Sequence, residues 1–213
     1  MPDVQYIGRG CVRVRGREGI VICDPFPKGN GFDPGRPTAQ IVTLSSRDPL
    51  RLNPQIVKPL QRDVFVIDGP GEYEVSGVMI EGIRTYRDNV QGAQLGHNTV
   101  YVFTLDDVRF CHLGELGHDL NTRQLEQIGT VDVLFVPAFG ALGIGKLTDL
   151  IASIEPRAAI PLYESNDQLN RLAHELGLKE WQALEKATIT PASLPGPDEE
   201  PRIIILRPTA ALT

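Results

Sequence analysis

The rhythm of the sequence changes near residue 120, and that change restricts what the chain can fold into. Before it, short apolar runs follow one another between glycines and prolines: Val4-Gln-Tyr-Ile, Cys11-Val-Arg-Val-Arg, Gly19-Ile-Val-Ile-Cys, Ala39-Gln-Ile-Val-Thr-Leu-Ser and Asp63-Val-Phe-Val-Ile. Residues 72–86 add a hairpin around Ser76-Gly77. Runs of this length and make-up, cut by turn-forming residues, predict strands. After residue 120, the strands Val131-Asp-Val-Leu-Phe-Val-Pro and Arg157-Ala-Ala-Ile-Pro-Leu-Tyr alternate with helical spacing over 146–154 and 167–176, and a last strand is expected over 201–208. Strands in a cluster followed by strand–helix alternation predict two mixed sheets face to face with helices outside, an α/β sandwich. A chain of 213 residues can bury one full core, so a single domain over 1–213 is expected.

Charge and cysteine usage exclude several classes of function. The net charge of −6 leaves no basic surplus to neutralise phosphates, which argues against nucleic acid as a partner. No apolar run approaches the roughly 20 residues that span a bilayer, and the first residues lack a basic stretch followed by an apolar one. Cys11, Cys23 and Cys111 lie singly in strand-like runs with no CxxC spacing, as expected of small buried hydrophobes in a reducing compartment. A cytoplasmic location is the expectation.

The chemistry centres on Phe110-Cys-His-Leu-Gly-Glu-Leu-Gly-His-Asp119, where a strand ends and Gly114 and Gly117 bracket Glu115. A carboxylate on glycine-permitted backbone at a strand end is well placed to meet a metal or a substrate. His118, in the same loop, is either a catalytic or metal-binding group or a hydrogen-bonded anchor. The four histidines, His97, His112, His118 and His174, form no HxH or HExxH pair, and GxSxG is absent. Residues 140–147 nearly fit the phosphate loop GxxxxGK[ST], but Leu147 stands where a hydroxyl would hold magnesium. A glycine-rich turn with a helix-start lysine, Lys146, is the better reading.

Taken in order, Val4-Gln-Tyr-Ile-Gly8, Ile20-Val-Ile-Cys-Asp-Pro-Phe, Gly69-Pro-Gly-Glu-Tyr-Glu-Val, Asn98-Thr-Val-Tyr-Val-Phe, Cys111-His-Leu-Gly-Glu-Leu-Gly-His, Val131-Asp-Val-Leu-Phe-Val-Pro and Ile160-Pro-Leu resemble the metallo-β-lactamase-fold hydrolases. The resemblance is to the bacterial Zn-dependent hydrolase branch that includes ascorbate-phosphate-lactonase-like proteins, and it covers nearly the whole chain. It implies an αββα four-layer sandwich with a site at one edge between the sheets. It also shows what is changed. Where that family carries its HxHxDH loop, this chain has Ser46 and Asp48 for the leading histidines, Leu50 for the aspartate and Arg51 for the closing histidine. Arg87, in Tyr86-Arg87-Asp88, replaces the next histidine, Glu115 the bridging aspartate, and Tyr163 the last histidine.

A catalytic zinc needs three protein ligands, and neither a guanidinium nor a leucine can be one. No cofactor is therefore expected. Zinc is the metal of the resembling family, while an oxygen-rich remnant of Asp48, Glu115 and His118 would suit manganese or magnesium. Arg51 and Arg87 are expected to neutralise Asp48 and Glu115. Three functions follow. The first is a degenerate, non-catalytic member whose pocket of Ser46, Asp48, Arg51, Arg87, Asp88 and Glu115 takes an anionic small molecule or a partner. The second is a phosphoester or lactone hydrolase with an altered site, either one metal held by Asp48, Glu115 and His118 or metal-free acid–base chemistry on Glu115 and Tyr163. The third is a structural protein that forms homo-oligomers.

Overall fold

The computed structural model describes residues 1–29, 31–196 and 199–210. The first half of the chain runs through β1 (Asp3–Gly8), β2 (Cys11–Arg15), β3 (Ile20–Cys23), β4 (Thr38–Ala39), β5 (Ile41–Thr43), β6 (Lys58–Pro59) and β7 (Phe65–Ile67). Next come β8 (Gly71–Val75), β9 (Val78–Tyr86), β10 (His97–Leu105) and β11 (Val108–His112). The remainder alternates: α1 (Thr122–Ile128), β12 (Val133–Pro137), α2 (Leu147–Ile154), β13 (Ala158–Leu162) and α3 (Asn166–Glu175), then β14 (Ala187–Thr188) and β15 (Arg202–Ile203).

The strands form two principal sheets. One has the order β14-β1-β2-β3-β5-β7 and the other β15-β13-β12-β11-β10-β9-β8, while β4 and β6 pair separately. The β8–β9 hairpin closes through Ser76 and Gly77, both at positive φ (55° and 83°), the two-residue turn whose twist suits adjoining strands. Asp106 and Asp107 (49° and 63°) close β10–β11 in the same way. Beyond β11 the pairing turns parallel, through β12 and β13 to β15. Parallel neighbours need right-handed crossovers, which put α1 and α2 on one face, where they touch each other.

Alternation of side chains decides which layer each strand serves. Val4, Tyr6, Val12, Val14, Val21, Cys23 and Ile41 face the second sheet and join a core with Tyr101, Phe103, Phe110 and Phe135. Phe103, Phe110 and Phe135 stack across three strands, with ring centroids 5.4 and 6.0 Å apart. Apolar faces of α2 and α3 close the outer side of that sheet. The other side differs. Ile7, Cys11, Ile20, Ile22 and Val42 are covered by Phe26, Phe32, Leu52, Ile56 and Val57, so this outermost layer is built from loops and one 3-10 turn. The closing strand is shorter than expected: only Arg202–Ile203 pairs with β13, after which Leu206 turns to bridge Leu184. No helix among the described residues is long and apolar enough to cross a membrane.

Candidate functional site

Glu115 stands where β11 leaves the core. Gly114 has φ +62°, and a Cβ there would meet the side chains of Ser45 and Asn98. A Cβ on Gly117 would fall on the backbone carbonyl of Arg87. The loop can therefore lie flat against its neighbours only because both positions are glycine. Its hydrogen bonds follow from that approach. The Glu115 amide donates to Asn98 Oδ1 (2.9 Å) and the Gly117 amide to the Tyr86 carbonyl (2.9 Å). Asn98 Nδ2 donates in turn to the Leu113 carbonyl (2.9 Å).

Both carboxylate oxygens of Glu115 are engaged. Arg51 Nε donates to Oε1, while Arg87 Nε donates to Oε2 (2.8 Å), with Arg87 Nη2 2.7 Å from the same oxygen. The chain of charges continues in both directions. Arg87 Nη1 lies 3.5 Å from Asp48 Oδ2, and Arg51 Nη2 lies 3.6 Å from Glu164 Oε1. Glu164 Oε1 also accepts from Arg9 Nε (3.2 Å), and the Arg9 guanidinium sits over the Phe26 ring. Asp48, Arg87, Glu115, Arg51, Glu164 and Arg9 thus alternate in sign, so their formal charges cancel. Arg87 and Glu115 are the most enclosed central pair, with side chains 15% and 14% exposed.

The remaining candidates are arranged differently. Ser46 is buried at the wall of an adjoining cavity. Asp88 serves its own loop: it accepts from the amides of Val90 (3.0 Å), Gly92 (2.7 Å), Gln94 (3.0 Å) and Leu95 (2.6 Å). Hydrogen bonds from the amides of Leu95, Gly92, Gln94 and Val90 hold its pKa down to about 2. That loop presents the Leu95 carbonyl to Arg87 Nη1 (3.2 Å), so Asp88 positions Arg87 from behind. His118 has both ring nitrogens occupied, Nε2 accepting from the Tyr86 amide (3.1 Å) and Nδ1 beside the Asp119 carbonyl (2.8 Å). Tyr163 is a core residue whose hydroxyl donates to the Leu206 carbonyl (2.9 Å), and burial raises its pKa. Leu50 is 83% exposed, outside the cluster. Lys146 pairs with Asp119 (2.6 Å) instead of facing a phosphate loop.

Arg9 and Glu164 belong to the network and were not among the sequence candidates. Each had a signal. Arg9 is a cation bracketed by two glycines, the same pattern that singled out Glu115, and Glu164 is the first charged residue after the buried β13. Beneath the network, Asp24 is buried and accepts from the Ser45 amide (2.6 Å) and hydroxyl (2.5 Å); burial raises its pKa. His112 Nε2 faces the Gly10 carbonyl (2.9 Å), while Nδ1, 4.0 Å from Asp24, has no hydrogen-bond partner.

These residues do not fit a zinc centre. Among the described residues no three His, Cys, Asp or Glu side chains converge on a set that could hold a metal ion, so Asp48, Glu115 and His118 share no common centre. Guanidiniums occupy both oxygens of the one carboxylate nearest that role, and a guanidinium ligates no cation.

Comparison with known proteins agrees with this fold. A family model described as a β-lactamase superfamily domain matches residues 3–163. No curated protein matches the chain. Among solved structures, a protein from Thermotoga maritima assigned to the Zn-dependent hydrolases of the metallo-β-lactamase superfamily is 25% identical, with 97% of this chain and 98% of that one covered and a TM-score of 0.73. A protein of Parabacteroides distasonis assigned as a metal-dependent hydrolase is 15% identical (96% and 93% covered, TM-score 0.65). Igni18, a metallo hydrolase from Ignicoccus hospitalis, is 12% identical (89% and 99% covered, TM-score 0.60). The last two likenesses concern the fold alone. With the family model spanning most of its length and the two-sheet sandwich in place, this chain belongs to the β-lactamase superfamily.

Proposed function

We propose that this chain is a non-catalytic member of the superfamily, in which an internal salt-bridge network stands where related proteins hold metal. The observation that carries this reading is the double engagement of Glu115 by Arg51 and Arg87. A metal at that carboxylate would have to displace two guanidiniums and then coexist with their charges, which Coulomb repulsion at a few ångströms opposes strongly. The alternation of three cations with three carboxylates leaves Arg51 and Arg87 without free charge for a ligand, so their role is to bind the loops around the site to one another. The altered-site hydrolase lacks comparable support, since His118 and Tyr163 are tied to backbone carbonyls and amides away from Glu115.

The test is elemental analysis of protein dialysed against zinc, manganese and iron, with assays of phosphatase, lactonase and phosphodiesterase activity. We expect metal well below one atom per chain and no turnover above the metal-free control. About one tightly held metal per chain, or metal-dependent turnover that E115Q abolishes, would overturn the proposal.

A further inference from the structure

Next to the network, on the Asp48 side, the sandwich opens into a cavity of about 400 Å³. Arg47, Arg84 and Arg87 line it together with Asp48 and Asp68. Arg47 pairs with Asp68 (3.3 Å) and Arg87 with Asp48 (3.5 Å), which leaves one positive charge over. That charge is Arg84, whose exposed guanidinium enters no ion pair among the described residues. The β9–β10 register sets Arg84 across from Thr99 and Tyr86 across from His97, so all four share one sheet face. The His97 ring lies against Tyr86, with centroids 5.6 Å apart. Pro70 and Leu95 add apolar wall, and the Ser46 hydroxyl lines the cavity with no hydrogen bond of its own among the described residues.

We propose that this cavity binds a small organic monocarboxylate with an apolar body. A single unpaired guanidinium in a cavity of this size matches one carboxylate through two parallel N–H···O bonds. Ser46 supplies a further donor, and Pro70, Leu95 and the His97 ring cover the body. The site rests on the metal-free reading above, because it requires Arg87 and Asp48 to be locked to one another and unavailable to the ligand.

The test uses the full chain with benzoate as probe, followed by thermal shift and isothermal titration in the presence and absence of EDTA. We expect benzoate to raise Tm and the neutral isostere benzamide not to. R84Q should weaken benzoate at least about ten-fold while leaving the Tm without ligand nearly unchanged, since the Arg84 side chain makes no hydrogen bond or ion pair among the described residues. The absence of any benzoate shift, an equal shift with benzamide, or full affinity in R84Q would overturn the carboxylate site. A shift that EDTA abolishes would instead overturn the metal-free reading on which the site rests, so the two failures are distinct.

Discussion

Replacing Glu115 by glutamine leaves Arg51 and Arg87 facing each other in a half-enclosed space with no anion between them. Breaking a buried pair by removing one partner costs about 3–5 kcal/mol, and partial exposure reduces that, so E115Q should destabilise by about 2–4 kcal/mol in urea unfolding. A double-mutant cycle with R87M should give a coupling of about 1–3 kcal/mol. Coupling near zero would mean that the pair is solvated and holds nothing together. Backbone approach offers a second residue-level test. G117A places a methyl on the Arg87 carbonyl, and backbone cannot yield as a side chain can. It should cost more than about 3 kcal/mol or prevent folding. G145A, with open space around the added atom, should stay within about 0.5 kcal/mol of the parent. Gly117 and Glu115 were both legible in the sequence as a bracketed carboxylate. Which cations met that carboxylate was a matter of chain geometry, and Arg9 lies over one hundred positions away in the chain.

At the scale of elements, the loop between β9 and β10 is organised by one side chain. The Asp88 carboxylate takes four backbone amides, and the loop it folds holds Arg87 through the Leu95 carbonyl. Its pKa is depressed to about 2, below its ordinary value, so its contribution to stability is complete above the unfolded value near 4. It is lost as pH falls from about 4 through about 2. D88N should therefore lower Tm at pH 7, because an amide presents one acceptor and one group of donors to four N–H groups. The gap between D88N and the parent should narrow as pH falls through that window. A gap independent of pH would show that charge on Asp88 is not what orders the loop. The sequence marks this segment as a polar, glycine-containing loop, and Asp88 as a binding residue. What the elements add is the direction of the carboxylate, inward to its own backbone and away from the cleft.

For the whole molecule, one core joins both sheets and the inner faces of the helices, and Tyr101 of the second sheet donates to the Leu44 carbonyl of the first (3.0 Å). Unfolding should therefore be a single cooperative transition, with far- and near-ultraviolet circular dichroism coinciding. On the proposed metal-free reading, in which the charge network ties the loops at the cleft, EDTA should leave its midpoint unchanged. A fall of several degrees with chelator would reveal a metal that binds the native state alone. The sequence by itself determined most of the strands, their turns and the two-sheet architecture, because alternation, glycine and proline are local properties that survive without the fold. The order of strands within each sheet and the short pairs at Lys58–Pro59 and Ala187–Thr188 came from the tertiary structure. The sequence also determined that Arg51, Arg87 and Leu50 offer no ligand to a metal, since a guanidinium is one whatever surrounds it. The tertiary structure alone decided the pairing. Arg9, Arg51 and Arg87 meet Asp48, Glu115 and Glu164 only because loops from both sheets converge at one edge, and Arg84 has no ion-pair partner among the described residues because Asp48 and Asp68 are taken by Arg87 and Arg47. Charge balance within a cleft is a sum over distant parts of the chain, and no window of sequence contains it.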